Sequence, residues 1–223
     1  MALTLRAVLF DLDGTLLDTA PDMVGALNAL REEHSLRALP YDEVRSAVSH
    51  GAARVVKTGF PDAEEDNFLA LQRRFLEIYR SALSRQTQLF PGMDEVLDAL
   101  AALHIKSGIV TNKPGWLTEP LLAELGLRSR FACVVSGDTV AERKPHPMPL
   151  LHAAALAYVR PAECIYVGDA ERDVQAAHAA AMPALVANYG YLRVDEDSAA
   201  WGGDGYLSEP LDLLTWLEAS GRL

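Results

Sequence analysis

Five short apolar runs, each ending at a polar residue or at glycine, most strongly constrain what this chain can fold into. They cover residues 7–10, 107–110, 132–135, 165–167 and 184–187, and they stop at Asp11, Thr111, Ser136, Gly168 and Asn188. Polar side chains do not alternate with apolar ones inside the runs. This pattern predicts strands that are buried on both faces of a parallel sheet.

Helical patterns lie between these runs, at residues 93–103, 116–125, 147–156 and 172–181. The second of them stops at Gly126, and glycine is typical of the position just after a helix. Strands that alternate with helices in this way predict an α/β fold, in which helices cover both faces of a doubly wound parallel sheet.

Residues 19–86 interrupt this alternation. They contain no strand-like run, and they show helical patterns at 21–33, 41–58 and 63–84. Residues 89–92, Leu-Phe-Pro-Gly, have the composition of a turn that returns the chain to the sheet. We therefore predict an α/β core formed by residues 1–18 and 87–223, with a helical cap, residues 19–86, inserted after the first strand.

The charge of the chain argues against one class of partner. The 223 residues include 20 Lys and Arg and 31 Asp and Glu, which gives a net charge of -11. Residues 19–86 contribute about -1 and the predicted core about -10. Because binding to a phosphate backbone requires clustered Lys and Arg, we do not expect a nucleic-acid partner.

Other features predict a cytoplasmic protein with no membrane partner. No apolar run reaches the ~18 residues that a membrane-spanning helix needs. Residues 1–10 lack the small-residue cleavage site of a signal peptide. Cys133 and Cys164 lie in apolar runs, as expected for buried free thiols in a reducing compartment. No pattern indicates an oligomeric state.

The first predicted strand ends in a pair of carboxylates, Asp11 and Asp13, followed by Gly14. Ligands bind at this edge of an open α/β sheet. Two carboxylates two residues apart leave the strand end in nearly the same direction, and their repulsion requires a cation or a shared proton. A hard divalent cation such as Mg²⁺ fits best. A purely structural Asp-rich turn, with Gly14 at positive φ, is the alternative.

Three other strand ends also carry polar residues. Thr111 and Asn112 follow the second strand, where a hydroxyl and backbone N–H groups can hold phosphate oxygens. Lys144 follows the third strand in a loop stiffened by prolines. Asp169 and Asp173 follow the fourth strand, one helical turn apart, so that both can face one point. Four such coincidences in chain order predict a single site.

These motifs together resemble the haloacid dehalogenase-like phosphohydrolases. The four signatures are Asp11-x-Asp13-Gly14-Thr15, Thr111-Asn112, Lys144-Pro145 and Gly168-Asp169-x-x-x-Asp173. Over nearly its full length the chain is similar to the phosphoglycolate phosphatase branch, which carries a small helical cap. The resemblance implies a Rossmann-like core and a phosphoric monoester hydrolase that acts on a small phosphorylated metabolite.

The resemblance also implies a role for each acidic residue. Asp11 would be the nucleophile that forms an aspartyl-phosphate, and Asp13 would serve as general acid and then general base. Mg²⁺ would bind Asp11, the backbone carbonyl of Asp13, and Asp169, while Asp173 would support the metal or its waters. Ala170 departs from the small hydroxyl residue often found at its position, which puts one supporting hydrogen bond in doubt.

The substrate contacts that the resemblance implies come from both parts of the chain. Thr111, Asn112 and Lys144 would bind the transferring phosphoryl group, and Lys144 would also neutralise the nucleophile. His50 matches the position where caps of this branch present a loop to the active site. Arg54, one helical turn later, is a candidate to meet a substrate carboxylate.

Several substrates and one other class of protein stay open. The first candidate substrate is 2-phosphoglycolate, and the second is a sugar phosphate such as the 6-phosphate of N-acetylmuramic acid. A β-phosphoglucomutase-like enzyme would share every core motif. A phospho-aspartate receiver module also places acidic residues, a hydroxyl and a lysine at strand ends. Asp13 argues against that module, because a second carboxylate beside the nucleophile would speed the loss of phosphate.

Overall fold

The computed structural model describes residues 4–193 and 196–222, so residues 1–3 and 223 at the ends of the predicted core lie outside the described residues. Eight strands are present in the described part of the chain: β1 (Ala7–Phe10), β2 (Leu17–Asp18), β3 (Gln88–Leu89), β4 (Lys106–Val110), β5 (Cys133–Val135), β6 (Cys164–Gly168), β7 (Ala184–Ala187) and β8 (Gly205–Leu207). Six of them form one parallel sheet in the order β5-β4-β1-β6-β7-β8. The sheet confirms the predicted α/β class, with β1 at its centre.

Nine α-helices accompany these strands in the described ranges: α1 (Ala20–Glu33), α2 (Tyr41–Arg45), α3 (Gly51–Gly59), α4 (Glu65–Arg80), α5 (Met93–Ala102), α6 (Gly115–Glu124), α7 (Met148–Leu156), α8 (Glu171–Ala179) and α9 (Asp212–Ala219). Buried residues of α5, α6 and α9 belong to one hydrophobic cluster, and those of α7 and α8 belong to another. Helices therefore cover both faces of the sheet, as the sequence predicted.

The central strand shows why its sequence has no polar alternation. Ala7 and Leu9 contribute to the cluster that includes α7 and α8, whereas Val8 and Phe10 contribute to the opposite cluster. All four residues are completely buried. Successive side chains of a strand point to opposite faces, so a strand that is covered on both sides must be apolar at every position.

The four helices α1–α4 lie between β2 and β3, which pair antiparallel through Leu17 and Leu89. The buried Asp22 carboxylate of α1 holds the segment that leads back to β3. It accepts hydrogen bonds from the N–H of Gln86 and from both the N–H and the hydroxyl of Thr87. We call α1–α4 the helical insertion. The cap boundaries at 19 and 86 stay a prediction.

The predicted helix over 41–58 is wrong in its middle. The chain forms α2, then a 3-10 turn at Val48–His50, and then α3. Gly51, the first residue of α3, has φ of +81°, a conformation that residues with a Cβ rarely adopt, and it marks the break between the turn and α3. The break turns the chain, so residues before and after Gly51 do not share one helical face.

Residues 201–205, Trp-Gly-Gly-Asp-Gly, connect a 3-10 helix to the last strand of the sheet. Trp201 ends a 3-10 helix that begins at Ser198, and its side chain packs partly buried against the cluster that includes Val186. The strand β8 begins at Gly205 and extends the sheet by pairing with β7. With only three residues, β8 is too short to show a recognisable pattern in the sequence.

Cys133 and Cys164 are free and buried, as predicted, and burial raises the pKa of their thiols to about 11 and about 12. Within the described residues, no helix combines the length and the apolar character that crossing a bilayer requires.

Candidate active site

The polar strand ends that the sequence singled out meet at one edge of the sheet. Asp11 follows the central strand β1, whose neighbours on either side are β4 and β6. Thr111 follows β4, and Asp169 follows β6. Strands that come later in the chain lie on both sides of β1, so the carboxyl end of β1 is the topological switch point of the sheet. Open α/β sheets bind their ligands at this point.

Three carboxylates cluster at this edge. Asp11, Asp169 and Asp173 are buried, and each offers an oxygen within 4.8 Å of the others. Burial, together with repulsion from the other two carboxylates, raises the pKa of Asp169 to about 7. Burial also raises the pKa of Asp173, although Lys144 opposes that effect. A dense group of buried acids is unfavourable unless positive charge compensates it.

These residues fit a hard metal ion. The Oδ1 atom of Asp169 is buried and has no hydrogen-bond partner among the described residues, whereas its Oδ2 accepts from the Ser49 hydroxyl at 2.6 Å and the Tyr191 N–H at 3.0 Å. Gly14, at φ of +83°, lies so close to this carboxylate that an added Cβ would collide with it. A buried carboxylate oxygen without a donor, beside two other carboxylates, is suited to a divalent cation.

Lys144 joins two of the three acids. Its fully buried ammonium lies 2.9 Å from Asp11 Oδ1 and 2.7 Å from Asp173 Oδ1. It also donates to the Tyr166 hydroxyl at 2.7 Å, and that hydroxyl donates in turn to the Val110 carbonyl. These contacts hold the lysine beside the predicted nucleophile and offset part of the acidic charge.

The carboxylate of Asp13 lies outside the acidic cluster and has its own set of partners. It accepts a hydrogen bond from the Thr19 hydroxyl at 2.7 Å and pairs with the Lys113 ammonium at 2.9 Å. Lys113 is buried, and it also donates to the hydroxyl of Tyr79 on α4. Burial lowers the pKa of Lys113, but Asp13 and Tyr79 outweigh it and the net pKa lies above the usual value.

Thr111 and Asn112 both line the cavity described below, but their side chains have structural partners. The Thr111 hydroxyl accepts from the Lys113 N–H at 3.1 Å. The Asn112 amide donates to the Lys144 carbonyl at 3.0 Å and accepts from the Lys144 N–H at 3.1 Å. Asn112 therefore fixes the loop that carries Lys144, in addition to its predicted contact with phosphate.

A cavity of about 360 Å³ lies between the sheet edge and the helical insertion, and Asp11 and Asp13 form part of its wall. The insertion contributes a mostly apolar lining: Met23, Val48, Ala52, Ala53 and Leu76. His50 lines the cavity as predicted. Burial, with Arg172 nearby, lowers the pKa of His50. Arg54 is exposed on α3 and does not line the cavity, so the structure does not bring it to the site.

Among the residues of the site that were missed in the sequence are Ser49, Lys113, Arg143 and Arg172. The Arg172 guanidinium donates to the Ser49 carbonyl, and the Ser49 hydroxyl donates to Asp169, so these contacts join the insertion to the acidic cluster. Two of the four carried a usable signal. Lys113 directly follows Thr111-Asn112 at a strand end, and Arg172 lies inside the Asp169-x-x-x-Asp173 motif.

Comparison with known proteins identifies relatives along nearly the whole chain. The family model for haloacid dehalogenase-like hydrolases matches residues 8–187. A phosphoglycolate phosphatase of Xanthomonas campestris pv. campestris is 44% identical over 208 residues, which cover 93% of this chain and 94% of that protein. An N-acetylmuramic acid 6-phosphate phosphatase of Pseudomonas putida is 39% identical over 210 residues, with 94% of each chain covered.

Solved structures are also similar to this chain. The crystal structure of a predicted phosphoglycolate phosphatase from Haemophilus somnus 129PT superposes with a TM-score of 0.84. It is 27% identical in sequence, and the match covers 95% of this chain and 97% of that one. The agreement includes the helical insertion as well as the sheet, since nearly all of both chains is covered.

Proposed function

The chain belongs to the haloacid dehalogenase-like hydrolase family, and we propose that it is a Mg²⁺-dependent phosphatase of small phosphorylated metabolites, with 2-phosphoglycolate as the first candidate substrate. The observation that carries this proposal is the meeting of two distinct carboxylate environments at one sheet edge. Asp11 lies in the buried cluster with Lys144, Asp169 and Asp173, while Asp13 faces the cavity beside Lys113.

The first step uses the carboxylate of Asp11. Its Oδ1 accepts from the Leu12 N–H at 2.8 Å and from Lys144 at 2.9 Å, which leaves Oδ2 to attack phosphorus. The bond between phosphorus and the ester oxygen breaks as the aspartyl-phosphate forms, and Asp13, which enters this step protonated, gives its proton to the leaving alcohol. Lys144 offsets the negative charge that Asp11 and the phosphoryl group bring together.

The second step uses Asp13 again. It takes a proton from a water molecule as that water attacks the phosphoryl group, and the products are inorganic phosphate and the restored Asp11 carboxylate. Asp11, Asp169 and the backbone carbonyl of Asp13 would hold Mg²⁺, with support from Asp173. When bound, the ion would neutralise phosphate charge and let one anion approach another.

Lys113 and Thr19 hold Asp13 at the boundary between the sheet edge and the insertion, because both donate to its Oδ1 atom. Replacing Lys113 with methionine keeps most of the side-chain volume but removes the ion pair. We expect kcat to fall by about one hundredfold, the size of loss typical when a general acid–base group is misplaced. An unchanged kcat would show that Lys113 does not position Asp13.

The cavity also supports a second candidate, a phosphatase of sugar phosphates. A volume of about 360 Å³ falls in the range of pockets that enclose ligands much larger than a two-carbon acid. A relative named N-acetylmuramic acid 6-phosphate phosphatase shares 39% identity with this chain. The buried free cysteines support a cytoplasmic location for either activity, since such thiols persist in reducing compartments.

The decisive experiment is phosphate release from a panel of metabolites that includes 2-phosphoglycolate, sugar 6-phosphates and hexose 1-phosphates. Wild-type protein with Mg²⁺ should release phosphate, and Asp11→Asn should not. Asp62→Asn, which changes an exposed aspartate of the insertion, is the matched control and should retain activity. The proposal fails if wild type releases no phosphate from any ester, or if a hexose 1-phosphate is isomerised without release.

A further inference from the structure

A second groove opens beside the active-site cavity, at the seam between α4 of the insertion and the first turn of α6. It has a volume of about 370 Å³ and is lined by Arg73, Leu76, Glu77, Arg80 and Trp116. Its position on the seam is supported by contacts from α4 and the segment after it to α6, where Arg80 and Ser84 both reach Glu124, at 3.5 Å and 2.8 Å.

The groove borders the active-site cavity on both of its walls. Leu76 of α4 lines both spaces. On the opposite wall, Pro114 and Leu117 line the active-site cavity, while Trp116, between them in sequence, lines the groove. Leu76 is therefore a boundary that the two spaces share.

The groove is lined by an exposed aromatic side chain, Trp116, and by one arginine, Arg73, that has no acidic partner among the described residues. The Trp116 side chain is 48% exposed. Arg80 pairs with Glu124 and Glu77 pairs with Arg74. Arg73 is exposed and makes no hydrogen bond or ion pair with any residue that the structure describes. A free guanidinium next to an exposed indole matches an anionic group attached to a ring with an apolar face.

We propose that this groove is a distal subsite for the leaving group, and that the preferred substrates are phosphorylated sugars that carry a carboxylate. The inference rests on the proposed phosphatase function and, within it, places the second candidate class, the sugar phosphates, ahead of 2-phosphoglycolate. Trp116 packs against the C–H face of the sugar ring, and Arg73 binds the carboxylate. A two-carbon phosphate ester ends inside the first cavity and does not reach either side chain.

Three phosphate esters test the proposed contacts of Trp116 and Arg73 one at a time. N-acetylmuramic acid 6-phosphate has both the ring and the carboxylate, N-acetylglucosamine 6-phosphate has the ring alone, and 2-phosphoglycolate has no ring. Arg73→Gln should lower kcat/KM for the first ester by about three- to tenfold, with little change for the other two. Trp116→Ala should lower it by a similar factor, about three- to tenfold, for both sugar esters but not for 2-phosphoglycolate.

Conservative and control variants complete the design. Trp116→Phe should recover most of the activity on sugar esters, and Arg73→Lys should recover part of the preference for the carboxylate. Arg37→Gln changes an exposed arginine of the insertion that lines neither space, and it should match wild type on all three esters. The effect of Arg73→Gln should shrink as salt is added, because exposed charge contacts are screened.

Three results would overturn the subsite. Equal losses on all three esters would assign Trp116 and Arg73 to closure of the insertion rather than to substrate. Unchanged kcat/KM in both variants would show that substrates do not enter the groove. Wild type that hydrolyses 2-phosphoglycolate far better than either sugar ester would refute the substrate class while leaving the phosphatase function intact.

Discussion

Removing the charge of Asp169 should stabilise the metal-free protein, even though it should abolish metal binding. This carboxylate is buried beside Asp11 and Asp173, and its pKa is about 7 against an ordinary value of 3.8. One pKa unit corresponds to about 1.4 kcal/mol. Ionised Asp169 therefore costs the metal-free folded protein on the order of 4 kcal/mol of unfolding free energy.

The direction of the pH dependence follows from the protonation of Asp169 in the folded and unfolded states. Between pH 4 and pH 7 the folded protein keeps a proton on Asp169 that the unfolded chain has already released. The unfolding free energy of wild type should therefore fall as the pH rises through this window, and it should level off above about pH 7. Asp169→Asn has no such charge, and its amide oxygen can still accept from Ser49 and Tyr191.

Urea denaturation in EDTA and in Mg²⁺, from pH 4 to pH 8.5, measures this effect. In EDTA, Asp169→Asn should exceed wild type by roughly 2 to 4 kcal/mol at pH 8 and should approach it near pH 4. Saturating Mg²⁺ should narrow this difference, because a ligand at about one hundred times its Kd adds about 2.7 kcal/mol to the unfolding free energy of wild type alone.

Two outcomes would refute the reasoning. If Asp169→Asn is no more stable than wild type at pH 8 in EDTA, burial does not destabilise this carboxylate. If Mg²⁺ stabilises both proteins equally, the ion binds elsewhere. Asp62→Asn is again the control, because its exposed side chain should give the wild-type pH profile in both buffers.

Two other substitutions test the surroundings of the cluster. Gly14→Ala and Gly126→Ala both place a Cβ at positive φ, but only the first collides with Asp169, so Mg²⁺ affinity by calorimetry should fall about tenfold or more in the first alone. Equal affinities would contradict the close approach of Gly14. Tyr191→Phe leaves the N–H of Ala20 without its acceptor at 2.9 Å and should cost about 1 to 3 kcal/mol in urea unfolding. A loss below about 0.5 kcal/mol would show that water replaces the hydroxyl.

The sheet and the acidic cluster were predictable because both depend on local patterns and on topology. A strand such as β1 that is covered on both faces must be apolar throughout, and this constraint can be read from four residues. Parallel strands bring their carboxyl ends to one edge, so Asp11 and Asp169 meet although they are far apart in sequence.

Contacts between the sheet edge and the insertion were not predictable in the same way. The partner of Lys113 on α4, Tyr79, is chosen by how the insertion packs, and no spacing in the sequence records that choice. Arg54 illustrates the opposite error. Assignment of one continuous helix over 41–58 placed it one turn from His50, but the break at Gly51 changes the helical phase and leaves Arg54 in solvent.

The central position of β1 has a consequence for synthesis of the chain. This strand is synthesised before the other strands of the sheet, and its partners β4 and β6 begin only at Lys106 and Cys164. At a synthesis rate of 5–20 residues per second, β6, the second neighbour of β1, is complete only about 10 to 30 s after β1 itself. The helical insertion can form from local contacts meanwhile, but β1 stays open to aggregation, so nascent chains of this protein should depend on chaperones that shelter exposed apolar segments.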